Sequence, residues 1–299
     1  MINALTVDVE DYWSIISRDW LKIPDAEPTD AVVGNTKWFL KTLEEHRTKA
    51  TFFILGEVAQ KFPSLVRDIH TAGHEVGVHG FLHKQIFKLT PDAFSQEVSQ
   101  CKKLLEDLTG AVVVGHRAPA FSMMPQTQWA FDVLCDAGFQ YDSSVFPISG
   151  RRYGWPDFSN GICTVQTEKG NSIIEVPMSV LKWGRRSFPV AGGGYLRHFP
   201  YGLNQWAIKR VQRCQPVVVY MHPYEIEPPV WSMDTSRLSL MEKIQLYKLH
   251  AIQMRNRKTV ARKVIRLLND FQFTSIADLL KKSSVCKMRE HLFRIDGCK

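Results

Sequence analysis

Two histidines four residues apart, His79 and His83, stand in the run Gly73-His74-Glu75-Val76-Gly77-Val78-His79-Gly80-Phe81-Leu82-His83. That spacing brings two imidazoles together on one face of a helical turn, and imidazole nitrogen suits zinc-like ions. The run is not H-E-x-x-H, because Gly80 and Phe81 follow His79, so the general base of a zincin protease is missing. Two histidines need at least one further ligand, and the cluster Asp8, Glu10 and Asp11 offers it. Period-two alternation puts Asp8 and Glu10 on one strand face, where crowded carboxylates repel one another unless a cation or a proton separates them. Three protein ligands leave coordination positions open for water and substrate. His70 and His74 read as surface or packing residues.

Two further strand ends carry polar groups. Arg117 follows an apolar run in Gly115-His116-Arg117-Ala118-Pro119, and His222 closes Val217-Val218-Val219-Tyr220-Met221-His222. A cation that holds a base and an acid that protonates a leaving group are what hydrolysis beside a metal requires.

The elements that must position these groups alternate. Short apolar runs at Ala4–Val9, Ala50–Leu55, Glu75–Val78, Ala111–Val114, Ile173–Val176 and Pro216–Met221 predict buried strands. Between them, Thr36–Glu45, Val58–Ala72 and Gln126–Ala137 predict helices, and a clear one opens at Thr90-Pro91 and stops at Gly110. This alternation predicts an α/β fold of parallel strands with crossover helices, open or closed into a barrel, its reactive groups at the C-terminal strand ends. Residues 146–200, rich in Gly, Pro, Trp and Arg, predict irregular loops forming one wall of a site. A long basic helix is expected over Leu238–Leu268.

With 299 residues, 44% of them hydrophobic, the chain can bury a sizeable core. Six cysteines without a C-x-x-C pair argue against a zinc ribbon, a thioredoxin-type site or a disulfide scaffold and predict reduced, structural thiols. The N-terminus shows neither the charged nor the apolar region of a signal peptide, which predicts a cytoplasmic protein. Residues 241–299 carry 14 Lys/Arg against 5 Asp/Glu, so the net charge of +8 belongs to the C-terminal segment. Such a segment suits a solvated helix face, nucleic acid or anionic lipid.

Together and in this order, these motifs resemble the NodB-homology polysaccharide deacetylase family. The matching residues are Thr6-Val7-Asp8 with Glu10, Ala50-Thr51-Phe52-Phe53-Ile54-Leu55-Gly56, His79-x-x-x-His83, Arg117-x-Pro119, Tyr141-Asp142-Ser143-Ser144 and the strand ending at His222. Asp8-Val9-Glu10-Asp11-Tyr12-Trp13, Arg152-Tyr153-Gly154, Gly192-Gly193-Gly194-Tyr195-Leu196-Arg197 and His222-Pro223-Tyr224-Glu225 look like the branch found at exopolysaccharide and exosortase loci, which has a C-terminal extension. The resemblance implies a distorted (β/α) barrel over 1–235, a basic helical extension packed on it over 236–280 and a polar tail over 281–299. It implies one divalent ion, Zn2+ or similar, on Glu10, His79 and His83. Where family members often have two adjacent aspartates this chain has Asp8-Val9-Glu10-Asp11, so Asp11 competes with Glu10 for the ion, and the shared strand face favours Glu10. By the same resemblance Asp8 is the base, Arg117 holds it, and His222 is the acid, tuned by Asp142, Glu175 or Glu225. Pro119, Tyr153, Tyr195 and Arg197 are expected to meet the substrate.

The implied activity is removal of N-acetyl groups from an amino sugar of a polysaccharide or glycan precursor. A rival on the same fold is an allantoinase-like hydrolase of cyclic amides, and a rival of another class is a non-catalytic glycan-binding protein. The second would not need acid, base and ligands together. No nucleic-acid motif accompanies the basic segment, so no nucleic-acid partner is expected. Peripheral contact of that segment with an anionic membrane is the remaining expectation.

Overall fold

The computed structural model describes residues 1–150, 153–167, 169–184, 186–190, 192–226, 235–282 and 292–294. Arg152 and most of the 281–299 tail lie outside them.

The first strand, β1 (Asn3–Val9), is buried at every position, as a Val- and Leu-rich strand covered on both faces must be. It pairs in parallel with β2 (Thr51–Ile54) on one side and β10 (Val218–Met221) on the other. From β2 the sheet follows the chain through β3 (Glu75–Val78), β4 (Gly115–His116) and β5 (Tyr141–Asp142) to β7 (Ser172–Glu175), all parallel. Antiparallel β6 (Cys163–Gln166) and then β12 (Leu292–Arg294) extend that edge. β8 (Val180–Trp183) and β9 (Arg186–Pro189) form a separate hairpin, and β11 (Phe273–Thr274) pairs with the first residues of β1.

The side between β7 and β10 is joined without a full ladder. The Ser179 hydroxyl accepts from the Val218 amide at 2.8 Å, and a single parallel bridge links Gly192 to Tyr220. Gly192 has φ +149, and a Cβ there would stand 2.4 Å from the Tyr220 ring, so only glycine lets the backbone lie against it. This is the distorted part of the (β/α) arrangement.

Helix boundaries follow local chemistry. Pro91–Thr109 opens with the Thr90 hydroxyl accepting from the Ala93 amide and stops at Gly110 in the left-handed conformation, burying Phe94, Val98, Cys101 and Leu105. The expected helix Val58–Ala72 is two, Gly56–Lys61 and Pro63–Thr71, because Pro63 cannot donate into a continuing helix. The expected long helix Leu238–Leu268 is also two, Leu240–Met254 and Val260–Asp270, separated at Asn256 with φ +62. Ala111–Val114 is not a strand; the ladder to β3 forms only at Val78 and His116. Nor are 146–200 merely loops, since they supply β6 to β9 and the helix Gly193–His198.

The C-terminal extension joins the main core through Val260, Val264, Leu267 and Leu268. Several of its cations are consumed in doing so. Arg257 is fully buried, the Lys263 ammonium donates to the carbonyls of Leu196, Arg197 and Phe199, and Arg266 lies 4.0 Å over the Tyr201 ring. Cys101, Cys135, Cys163 and Cys214 are free thiols. No helix among the described residues is long and apolar enough to cross a membrane.

Candidate active site

Parallel strands deliver their C-terminal ends to one edge, and the sequence-predicted groups meet there. Asp8 lies near the end of β1 and Glu10 just past it, with the Glu10 amide bonded back to the Asp8 carbonyl at 3.0 Å. His79 follows β3 directly. The His79–His83 spacing does not form a helical turn as expected; it forms an irregular loop in which Gly80 (φ +77) and His83 (φ +57) are both left-handed. The loop is fixed from outside, since the Gly80 and Phe81 carbonyls accept the amides of Gly56 and Glu57 at a helix start.

Ligand atoms of Glu10, His79 and His83 lie within 4.8 Å of one another. His83 Nε2 is 3.0 Å from Glu10 Oε2. His79 Nδ1 is 2.8 Å from the Arg117 carbonyl oxygen, which can only accept, so Nδ1 carries the proton and Nε2 keeps its lone pair. Burial lowers the His79 pKa to about 4, which leaves the ring neutral at ordinary pH. Burial alone would raise the Glu10 carboxyl, but the imidazoles of His83 and His222 outweigh it and hold Glu10 well below the usual carboxylate range. Two imidazoles and an ionised carboxylate make a three-ligand set that fits a catalytic divalent ion.

Asp11, the competing ligand, is occupied. Its Oδ2 accepts from the Ser14 amide at 2.8 Å, capping the helix Tyr12–Asp19, and its Oδ1 accepts from the Thr29 hydroxyl at 2.8 Å.

Beside the ligand cluster, Arg117 is wholly buried and fully engaged. Its Nη1 donates to Asp8 Oδ1 at 2.8 Å and to the Thr6 hydroxyl at 2.6 Å, Nε donates to the Ser143 carbonyl, and Nη2 to the Ser143 hydroxyl. The Phe53 ring packs against the guanidinium at 4.4 Å. Asp8 is thereby held in one orientation with Oδ2 4.0 Å from His222 Nε2.

His222 Nε2 is 3.1 Å from Glu10 Oε1, and its Nδ1 is 3.3 Å from Glu225 Oε2. Burial would lower its pKa, yet the carboxylates of Glu10 and Glu225 raise it to about 10. Of the three acids considered at the sequence level, Glu225 is therefore the partner. Asp142 instead holds His116 at 2.7 Å and the Ser144 hydroxyl, while Glu175 accepts the Val145 amide. Glu225 is in turn 3.5 Å from Arg197 Nη1, and burial's upward push on it is overcome by His222 and Arg197.

The expected substrate residues divide. Tyr153 and Tyr195 are half-buried and belong to an aromatic wall with Phe121 and Phe146. Pro119 packs toward Gly80 and opens a turn in which Ala120 and Phe121 are left-handed, a conformation that costs non-glycine residues about 1–3 kcal/mol each. Arg197 departs from expectation: it is buried behind His222, bonded to Gln253 and paired with Glu225. Sequence reasoning missed the group behind this one. Tyr224 stacks on His222 at 4.8 Å, and the buried Arg257 guanidinium lies between the Tyr224 and Tyr12 rings at 5.2 and 5.0 Å. No motif surrounds Arg257, and only the break in its helix distinguishes it.

Residues 25–141 match the family model described as polysaccharide deacetylase, and residues 143–281 match one described as a domain of unknown function (DUF3473). His79, His83 and Arg117 fall in the first stretch, His222 and Glu225 in the second, and Asp8 and Glu10 precede both. Over 108 residues the chain is 33% identical to a peptidoglycan-N-acetylglucosamine deacetylase of Bacillus cereus, covering 36% of this chain and 37% of that one. A peptidoglycan deacetylase of Helicobacter pylori is 31% identical over 106 residues, 36% of this chain and 35% of that one. A chitooligosaccharide deacetylase of Azorhizobium caulinodans is 36% identical over 78 residues, 26% and 37% respectively. The chain thus spans little more than a third of the length of these relatives. A solved structure from Mycobacterium smegmatis, assigned provisionally to the polysaccharide deacetylases, shares the fold with a TM-score of 0.63 at 17% identity, covering 97% of this chain and 94% of that one.

Proposed function

We propose that this chain, which joins a polysaccharide deacetylase domain to a DUF3473 domain, is a metal-dependent hydrolase that removes acetyl groups from the nitrogen of an amino sugar in a glycan. The observation that carries this reading is the convergence of Glu10, His79 and His83 with the Arg117-held Asp8 and the Glu225-held His222 at one edge of the sheet. A divalent ion on Glu10, His79 and His83 supplies Lewis-acid polarisation of the acetamide carbonyl and makes water acidic enough to lose a proton near neutral pH.

The residues of the chain do the rest. Asp8, aimed by Arg117, accepts a proton as water adds to the carbonyl carbon. His222, kept protonated by Glu225, donates to the sugar nitrogen as the carbon–nitrogen bond breaks, so acetate and a free amine leave. The half-buried Tyr153 and Tyr195, backed by the buried Phe121 and Phe146, give sugar rings an aromatic face to lie on. The relatives named as deacetylases of peptidoglycan and of chitooligosaccharide support a polymer or oligomer of N-acetylated sugar as the substrate class. Acetate release from N-acetylglucosamine oligomers, peptidoglycan fragments and other N-acetylated glycans, with cyclic imides alongside, tests the proposal. Acetate from the glycans alone supports it, and ring opening of the imides alone overturns it.

A further inference from the structure

From residue 176 to residue 224 the sequence contains no Asp or Glu and seven Lys/Arg, within the stretch matched by the domain of unknown function. The described part of this stretch builds an exposed apolar face. Register in the β8–β9 hairpin pairs Leu181 with Phe188 and Trp183 with Arg186, which places these four on one side. Opposite lies the helix Tyr201–Val211, whose outer face carries Leu203, Trp206 and Arg210. Between hairpin and helix runs a groove of about 220 Å³ whose lining, among the described residues, is apolar apart from the buried Asn204 and the indole N–H groups of Trp183 and Trp206. Trp183 is 72% exposed, and Trp206, Phe188, Leu203 and Phe199 between 43% and 48%. Leaving so much clustered aromatic surface in water is costly unless something covers it.

We propose that this face docks on an anionic lipid bilayer. Tryptophan and phenylalanine at the centre with lysine and arginine at the edge is the composition that settles at a membrane interface. Arg186, Lys209 and Arg210 are exposed around the aromatics, and an acid-free stretch meets a negative headgroup layer without repulsion. A glycan is a poorer occupant, because sugars require several hydrogen-bonding side chains beside their aromatic platforms, and among the described lining residues this groove has one buried amide and two indole N–H donors, with no carboxylate. This contact differs from the one expected of the C-terminal extension, two of whose cations are engaged within the protein: Arg257 is buried and Lys263 donates to three backbone carbonyls.

A run of neighbouring aromatic rings leads from this face to the cleft. The Phe199 ring is 6.4 Å from Tyr195, Tyr195 is 6.5 Å from Phe146, Phe121 is 4.8 Å from Tyr220, and Tyr220 is 5.7 Å from His222. Docking would therefore hold the cleft beside the lipid surface, and, resting on the deacetylase reading, would favour a glycan presented there.

The test is co-sedimentation of the full chain with vesicles of phosphatidylglycerol and phosphatidylcholine or of phosphatidylcholine alone, at low and at roughly physiological salt. Binding to the anionic vesicles that weakens with salt is expected. Arg186→Ala/Arg210→Ala should weaken it about 25-fold at low salt, as about fivefold per cation implies. Trp183→Ala/Phe188→Ala should abolish it at physiological salt, while Lys248→Ala/Arg262→Ala on the extension should not change it. Melting temperatures show whether each variant is folded, and a lost acetate release with retained vesicle binding would break the deacetylase reading alone. Equal binding to neutral vesicles, full binding by the Trp183/Phe188 variant, loss in the extension variant, or a dimer that the Trp183/Phe188 variant dissociates would each overturn the docking proposal.

Discussion

Glu10 and Glu75 sit at opposite ends of the same parallel strands, and both are buried or nearly so. Glu75 opens β3 at the N-terminal edge and meets only neutral donors: the Tyr141 hydroxyl at 2.7 Å, the Thr51 hydroxyl at 2.6 Å and the Ala277 amide at 2.9 Å. Burial raises its pKa. Glu10, at the C-terminal edge, faces two imidazoles, and its pKa is lowered despite burial. One carboxyl ties the helix Ile276–Leu280 across the floor of the sheet; the other waits among groups that each have a lone pair or a proton to give. Burial does not distinguish structure from chemistry here. The partners do.

The comparison breaks most sharply at Glu10. Glu10→Gln should lose the divalent ion and reduce acetate release to background, whereas Asp8→Asn should keep the ion and slow turnover by about 10²–10⁴-fold, the range of a lost proton acceptor. Exchanged phenotypes in the two variants would reverse the assignments of Asp8 and Glu10.

His222→Ala should cost about 10²-fold in turnover with the ion retained. Because His222 acts as an acid, the wild-type rate should fall as pH rises through its pKa. An ion neutralising Glu10 leaves Glu225 to hold that pKa up, so the alkaline limb should lie between about 6.5 and about 10. Glu225→Gln should move the limb toward lower pH, which a pH–rate profile of both proteins would show.

Glu75→Gln sharpens the other side. Activity per folded molecule should be unchanged, while stability drops by about 1–3 kcal/mol, because the amide NH2 would confront donors. Since the folded pKa of Glu75 is raised, its ionisation costs wild-type stability as pH climbs above about 4.5, and the Gln variant should lose that dependence in thermal melts. The smallest effect belongs to Asp11→Ala, about 1 kcal/mol from the lost helix cap with ion content intact.

Much of this was legible in the sequence. Strand runs bounded by turns located β1, β2, β3, β7 and β10 within about two residues, and these strands are what bring Asp8, His79 and His222 to one edge. Asp11 was ambiguous because an N-cap and a ligand look alike without knowing where the next helix starts. The His79–His83 turn was misread as helical because four-residue spacing does not reveal that two residues adopt positive φ. β4 is only two residues long, Gly115–His116, too short to stand out from a loop, and the β8–β9 strands, Val180-Leu181-Lys182-Trp183 and Arg186-Ser187-Phe188-Pro189, sit in a stretch whose Gly, Pro and Arg content reads as loop. Arg257 owes its place to tertiary packing, between rings 33 and 245 residues away in the chain.

The central claim is that Glu10, His79 and His83 hold one divalent ion while Asp11 does not. Elemental analysis of purified wild-type, His79→Ala and Asp11→Ala protein tests it most directly. One equivalent of ion in the wild type and in Asp11→Ala, with little in His79→Ala, is the expected result; a full equivalent in His79→Ala, or its loss in a folded Asp11→Ala protein, would contradict it.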